Sequence, residues 1–186
     1  MEEPIRIALV DDHRLFRSGI ASLLDNFDNY TIIFEAGDGE EMIRKINPKL
    51  KPDIILLDIN MPKMNGITTA RWLRDNHPDI NVIVLSMFED AEKVLTMVRM
   101  GVKGYLLKDA EPYEFQDALH KVSLNEVYYP EFVTRHLVDS INTEFNLAKL
   151  NSREIEFLKL AASELTYKEI ADHMCISSRT VDGYRD

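Results

Sequence analysis

Short apolar runs alternate with longer amphipathic stretches through the first 124 residues. Five of the runs read as strands: IRIALV (5–10), TIIFEA (31–36), DIILL (53–57), NVIVLS (81–86) and GYLL (104–107). Most are apolar at every position rather than at every second one. A strand buried on both faces has this pattern, and parallel sheets are built from such strands. Segments 13–25, 39–47, 67–76, 90–99 and 112–124 carry helical spacing instead. In the last of these Phe115, Leu119 and Val122 recur at i, i+4 and i+7, and Pro112 suits a helix's first turn, where its missing N–H is no loss. Strand followed by helix, five times over, predicts an α/β fold with a doubly wound five-stranded parallel sheet.

The rhythm breaks at 125–149, where NEVYYPEF has turn character and 131–141 suits one connecting helix. From 150 the helices are short. Asn151 with Glu154 and Thr166 with Glu169 match capping boxes ahead of helices near 152–162 and 167–174. Ser177 can cap a third, starting at Ser178. With the tight turn at CIS, this predicts a small all-α helix-turn-helix domain. The expected organisation is a first domain at 1–124, a linker at 125–149 and a helix-turn-helix domain at 150–186.

Composition narrows the class. The 186 residues are 45% apolar and 29% charged, with one cysteine. No internal disulfide can form, and Cys175 reads as a small buried apolar residue in the turn. The N-terminus MEEPIRIALV lacks the basic start of a signal peptide, and no run approaches the ~20 apolar residues of a membrane span. A cytoplasmic protein with no membrane partner is expected. The net charge is −10, of which −6 lies in residues 1–124 and −4 in residues 125–186. Neither part is basic, which counts against non-specific nucleic-acid binding.

The run at 54–57 ends on a carboxylate, Asp58. In open α/β sheets, ligands bind beyond the carboxyl ends of the strands. Asp11 and Asp12 follow the first strand. If the first and third strands are neighbours, three carboxylates converge, and their repulsion raises a pKa unless a cation sits among them. Mg²⁺ suits such a mouth, because it takes carboxylates, keeps waters and leaves room for a phosphate. Ser86 and Lys108, at two further strand ends, supply a hydroxyl and a positive charge. A carboxylate in this setting can accept a phosphoryl group. His13 adjoins the acidic pair, but no second His or Cys is spaced to help it bind a transition metal, so a surface or capping role is preferred. In MPKMNG, Pro62 fixes φ, Asn65–Gly66 permits a positive φ before the next helix, and the two methionines cover the loop.

LVDDHRLFRSG, LLDINMPKMNG, VLSM and GYLLKD resemble the receiver domain of a two-component response regulator. LNSREIEFLKLAASELTYKEIADHMCISSRTV resembles the LuxR-type helix-turn-helix of the NarL/FixJ subfamily. Together they cover nearly the whole chain. The resemblance implies a flavodoxin-like strand order 2-1-3-4-5 and a phosphoacceptor, Asp58, served by a sensor histidine kinase. It implies Mg²⁺ bound directly by Asp12, Asp58 and the Asn60 backbone carbonyl, with Asp11 acting mostly through water. Ser86 and Lys108 would grip the phosphoryl oxygens. Tyr105 matches the switch aromatic, whose ring turns inward as Ser86 closes on the phosphate; without the resemblance it reads as a half-buried strand tyrosine with its hydroxyl in water. Asn60 and Phe88 would flank the water path and set the phosphoryl lifetime.

A helix-turn-helix places the start of its second helix near base edges in the major groove. Ser178, Arg179, Thr180 and Arg185 are therefore the candidates for contact with promoter DNA, with Arg153 and Lys168 touching phosphates and Val181 facing inward. The chain departs from the family at Asp182, usually Lys, and Gly183 costs a helix interior ~1 kcal/mol relative to Ala. The family pattern runs past Asp186, so a C-terminally truncated chain is expected, lacking the helix that usually makes the dimer contact formed on phosphorylation. Two other readings stand beside a phosphorylation-controlled transcription regulator. One is a receiver-based protein-interaction module whose C-terminal helices do not bind DNA. The other is a Mg²⁺-dependent phosphatase, against which Asn60 stands where such enzymes carry a second Asp.

Overall fold

The computed structural model describes residues 3–27, 29–148, 152–162, 165–177 and 180. The chain divides into two compact units, Met1–Leu137 and Val138–Asp186.

In the first unit the strands are β1 (Ile5–Val10), β2 (Tyr30–Ala36), β3 (Ile54–Asp58), β4 (Asn81–Ser86) and β5 (Gly104–Leu107). They form one parallel sheet in the order β2-β1-β3-β4-β5. Helices α1 (Arg14–Leu24), α2 (Gly39–Lys45), α3 (Gly66–Asn76), α4 (Ala91–Arg99) and α5 (Pro112–Ser123) alternate with them. The uniformly apolar strands have a direct cause. Ala8, Val10, Ile55, Leu57 and Val84 enter one core, whereas Ile7, Leu9, Ile54, Leu56, Ile83 and Leu85 enter another. Successive side chains point to opposite faces, so two cores leave no position for a polar residue until the strand ends. The register then sets those ends side by side: Val10 lies opposite Leu57, Asp58 opposite Leu85 and Ser86 opposite Leu107.

Local signals start the helices. Asp38, Asn65 and Asp90 accept from the backbone N–H groups of Glu41, Thr68 and Lys93 at 2.8, 2.9 and 3.1 Å, each satisfying a donor that the helix leaves open. Glu114 reaches back to the Glu111 N–H at 3.0 Å, with Pro112 at the first position of α5. Helix α2 ends at Lys45, short of the expected 47, because Ile46 turns to an extended ψ of 122° as the chain nears Asn47, whose own helical conformation the following Pro48 disfavours.

Residues 128–137, whose sequence lost the strand–helix rhythm, pack on this unit. Tyr128 pairs with the edge of β5: its carbonyl accepts from the Tyr105 N–H at 3.0 Å and its own N–H donates to the Lys103 carbonyl at 2.8 Å. The Tyr129 hydroxyl donates to the Val102 carbonyl at 2.6 Å. A strand edge that would otherwise present unpaired backbone groups is thus covered. Phe132 and Val133, at the start of α6 (Glu131–Ala148), complete the core beneath Tyr105.

In the second unit α7 (Ser152–Ala161) and α8 (Tyr167–His173) bury Phe157, Ile170, Ala171 and Met174 against one another. The Thr166–Glu169 capping box is formed, with the Thr166 N–H donating to Glu169 at 2.7 Å. Ser177 accepts from the Thr180 N–H at 3.2 Å, the cap expected of it. Cys175 is exposed, not buried. Its φ of 52° belongs to the left-handed turn that ends α8, and that turn carries the thiol outward. The expected cap Asn151 lies outside the described residues. Among the described residues, no helix is long and apolar enough to cross a membrane.

Candidate functional site

The carboxyl edge of the sheet gathers Asp11, Asp12, His13 and Asp58. Each offers a ligand atom, and these atoms all lie within 4.8 Å of one another. Asp11 and Asp58 are 2% and 1% exposed. Asp11 is anchored on both sides: its N–H donates to the Ala36 carbonyl at 3.0 Å, and its Oδ1 accepts from the His13 N–H at 2.8 Å. Lys108 enters from the end of β5, where its backbone N–H bonds the Ser86 carbonyl at 2.8 Å. Its Nζ stands 2.7 Å from Asp11 Oδ2 and 3.2 Å from Asp58 Oδ2, and 4.8 Å from the centre of the Phe16 ring. These are ion-pair separations without hydrogen-bond alignment, so both Oδ2 atoms and the ammonium are buried without a hydrogen bond.

The electrostatics follow from that burial. The Asp58 carboxyl is pushed above the ordinary carboxylate range, by burial first and by the charge of Asp11 next. Lys108 and the Asn60 N–H pull the other way without prevailing. One ammonium serving two buried carboxylates leaves an excess of negative charge, which a further cation would relieve.

The loop after β3 frames the site. The positive φ falls on Lys63, at 58°, and not on Asn65–Gly66. Lys63 is held there by Asp38 at 2.8 Å, and that ion pair keeps the Asp38 carboxyl below its usual range. Gly66 has a different use. A Cβ on it would lie 2.2 Å from the Asp58 carbonyl oxygen and 2.7 Å from Ile59 Cα. Its N–H also donates to the Ile59 carbonyl at 2.9 Å. Gly66→Ala is therefore expected to push β3 and α3 apart and to destabilise the fold by about 1–3 kcal/mol, read as a lower thermal midpoint. Of the two loop methionines, Met61 is in the core, and Met64 lies over Gly39.

Ser86 is at the site's rim but bonded to its own loop. Its hydroxyl donates to the Phe88 carbonyl at 2.8 Å and accepts from the Phe88 N–H at 3.2 Å. Phe88 itself is exposed. Asn60 accepts from Lys93 Nζ at 3.3 Å.

Tyr105 is fully buried, not half-exposed. Its ring meets Phe132 edge-on, with centroids 5.6 Å apart at 80°, and Phe132 in turn meets His136 at 6.5 Å. Burial raises the Tyr105 phenol above its ordinary range, against the opposing effect of the Ser86 hydroxyl.

The structure therefore brings Asp11, Asp12, Asp58 and Lys108 together, with Ser86, Asn60 and Tyr105 around them. The sequence reading set His13 aside. It occupies the N-cap position of α1 but makes no side-chain cap; instead Nδ1 lies 3.0 Å from Asp12 Oδ1 and 3.2 Å from Asp11 Oδ1. Phe16 beneath Lys108 also went unremarked, although its place in the first turn of α1, after the acid pair, was the available signal. Among the DNA-contact candidates Lys168 and Thr180 are exposed, and Arg153 is exposed on α7. Ser178, Arg179 and Arg185, with Val181, Asp182 and Gly183, lie outside the described residues.

Comparison with known proteins agrees with this architecture. Residues 7–120 match the response regulator receiver domain, and residues 148–186 match the bacterial regulatory proteins of the luxR family. The nitrate/nitrite response regulator protein NarL of Escherichia coli K12 is 38% identical over 97% of this chain and 85% of its own length. The RcsB response regulator of Salmonella typhimurium superposes with a TM-score of 0.79 at 24% identity, over 97% of this chain and 88% of that one. A solved RcsB–DNA complex gives 0.72 at 25%, over 98% and 88%. A doubly wound sheet whose carboxyl edge gathers three carboxylates and a lysine, followed by capped short helices, places this chain among the two-component response regulators with a receiver domain and a LuxR-type helix-turn-helix.

Proposed function

We propose that a phosphoryl group accepted by Asp58 controls DNA binding by the C-terminal helices of this chain. The observation that carries the reading is the buried set Asp11–Lys108–Asp58, with one ammonium within 3.2 Å of both carboxylates. An Asp58 oxygen attacks the phosphorus of a sensor kinase's phosphohistidine. The new P–O bond forms as the P–N bond breaks, and the imidazole leaves. Lys108 is placed to follow the phosphoryl oxygens, and Ser86 joins by exchanging its Phe88 carbonyl for one of them. The donor set fits Mg²⁺: hard carboxylate oxygens, two of them buried without a hydrogen bond. Asp12, Asp58 and the Asn60 carbonyl would hold the ion, with Asp11 through water, and it would supply neutralisation of charge at the reacting oxygens.

The chain then catalyses only its own phosphorylation and dephosphorylation. Asn60 and Phe88 set the lifetime of the phosphoryl group, and Tyr105 senses it. Because its ring is already inward, the response is a repacking against Phe132 rather than a first entry. The sensor histidine kinase and promoter DNA are the partners, in a cytoplasmic setting, with a homodimer as the DNA-bound form. Lys168, Thr180, Ser178, Arg179 and Arg185 are the proposed DNA contacts. The solved RcsB–DNA complex supports this part of the reading.

The test is retention of duplex DNA of mixed sequence as salt is raised, with and without prior treatment by acetyl phosphate and Mg²⁺. Phosphorylation is expected to change retention, and retention is expected to fall with salt by about 0.9 log–log units per phosphate contact. An absent signal, or one that ignores both salt and phosphorylation, favours the protein-interaction reading.

A further inference from the structure

Magnesium has little use for an imidazole, yet this site presents one. The His13 ring leaves the open N–H groups of α1 and turns back onto the acid pair. Its Nδ1 lies 3.0 Å from Asp12 Oδ1 and 3.2 Å from Asp11 Oδ1. An octahedral ion bound at ~2.1 Å sets neighbouring ligand atoms ~3.0 Å apart. Nδ1 therefore stands to two carboxylate oxygens as one ligand stands to the next around a single small ion. The four candidate ligand atoms lie within 4.8 Å of one another, a little more than the ~4.2 Å between opposite ligands of such an ion. One ammonium, that of Lys108, serves the Oδ2 atoms of both buried carboxylates, so the cluster keeps an excess of negative charge on the side that His13 faces.

We infer that His13 is a direct nitrogen ligand of the cation at this site, and that the receiver therefore binds Mn²⁺ and similar borderline divalent ions in preference to Mg²⁺. The inference rests on the cation reading proposed above and adds a ligand to it. The selectivity has a chemical cause. Mg²⁺ is hard, dehydrates reluctantly and keeps water where an imidazole is offered. Imidazole suits later first-row ions, whose affinity for a mixed nitrogen–oxygen set climbs along the series from Mn²⁺. A rival role for the ring is the hydrogen bond between Nδ1 and Asp11 Oδ1, at 3.2 Å. A ring in that role would affect all divalent ions alike and would never touch the ion.

The experiment uses the full chain loaded with Mn²⁺ alone and reads nitrogen coupling to the ion by pulsed electron paramagnetic resonance. The wild type is expected to show the modulation of a directly bound imidazole nitrogen, and His13→Gln to lose it. In parallel, titrations of Mn²⁺ and Mg²⁺ are expected to show Mn²⁺ affinity falling at least about tenfold in His13→Gln, while Mg²⁺ affinity hardly moves. Mn²⁺ bound without nitrogen modulation, or an unchanged Mn²⁺-to-Mg²⁺ ratio in the variant, overturns the His13 assignment and leaves the carboxylate site standing. Failure of the wild type to bind either ion overturns the cation reading along with it.

Discussion

Asp58→Asn is expected to take up no phosphoryl group from acetyl phosphate, with intact mass giving only the unmodified chain where the wild type is expected to gain one phosphate. The carboxamide keeps the shape of the side chain, but its oxygen carries no full charge and its nitrogen lone pair is delocalised, so neither atom is a nucleophile. Asp11 does not take over, since its Oδ1 is occupied by the His13 N–H and its Oδ2 by Lys108. The same variant has a second signature in metal-free buffer. Burial and Asp11 hold the Asp58 pKa above its unfolded value, so between the two values the folded chain binds more protons than the unfolded one. Stability then falls as pH rises from the ordinary carboxylate range up to the raised pKa, and it stays lower above it. The carboxamide of the variant cannot titrate. At neutral pH the variant is expected to melt above the wild type, with the gap closing as acid protonates Asp58. A lower melting point for the variant at neutral pH counts against an uncompensated buried charge here.

Lys108→Ala is expected to cause the largest loss of stability. The side chain is 5% exposed and is the cation paired with two carboxylates that are each 2% exposed. Removing one partner of a buried ion pair costs about 3–5 kcal/mol, because the remaining charge stays in a medium that solvates it poorly. For a chain of this size that lowers the melting temperature by about 10 °C. Two controls separate charge from packing. Divalent cation should restore much of the loss, since it replaces the missing positive charge. The double variant Lys108→Ala, Asp58→Asn should be more stable than Lys108→Ala alone, because one buried charge is left instead of two. If neither control recovers stability, the lysine acts through the packing of its stem and not through its charge.

The sheet could be read from the chain because each strand carries its evidence within itself. Ile54 to Leu57 are buried on both faces, so their type alone announces a central strand, and Asp58 announces its end. Asp11, Asp58 and Lys108 were legible for the same reason: strand ends in such a sheet have one destination. What escaped depends on choices that no local pattern fixes. The His13 ring could cap α1 or meet the acids, and the outcome turns on where Asp12 lies. The hydroxyl of Ser86 could face the site or its own loop, and the backbone of Phe88 decides. Gly66 was assigned to a positive φ, but the demand there is space against the β3 backbone, which appears only when α3 is packed. Tyr105 looked half-exposed because its cover, Phe132, lies far along the chain in a segment with no strand–helix rhythm.

The docking of Phe132 on Tyr105 also bears on competition. The cover and the surface it hides belong to one chain, joined by the stretch from β5 through α5 to α6. A tethered segment meets its target as an intramolecular partner, at an effective concentration set by the geometry of the link. Any outside molecule seeking the Tyr105 face must first displace that resident. Weak encounters are filtered out without a dedicated inhibitor, and only a change that loosens Phe132 from within opens the face to rivals.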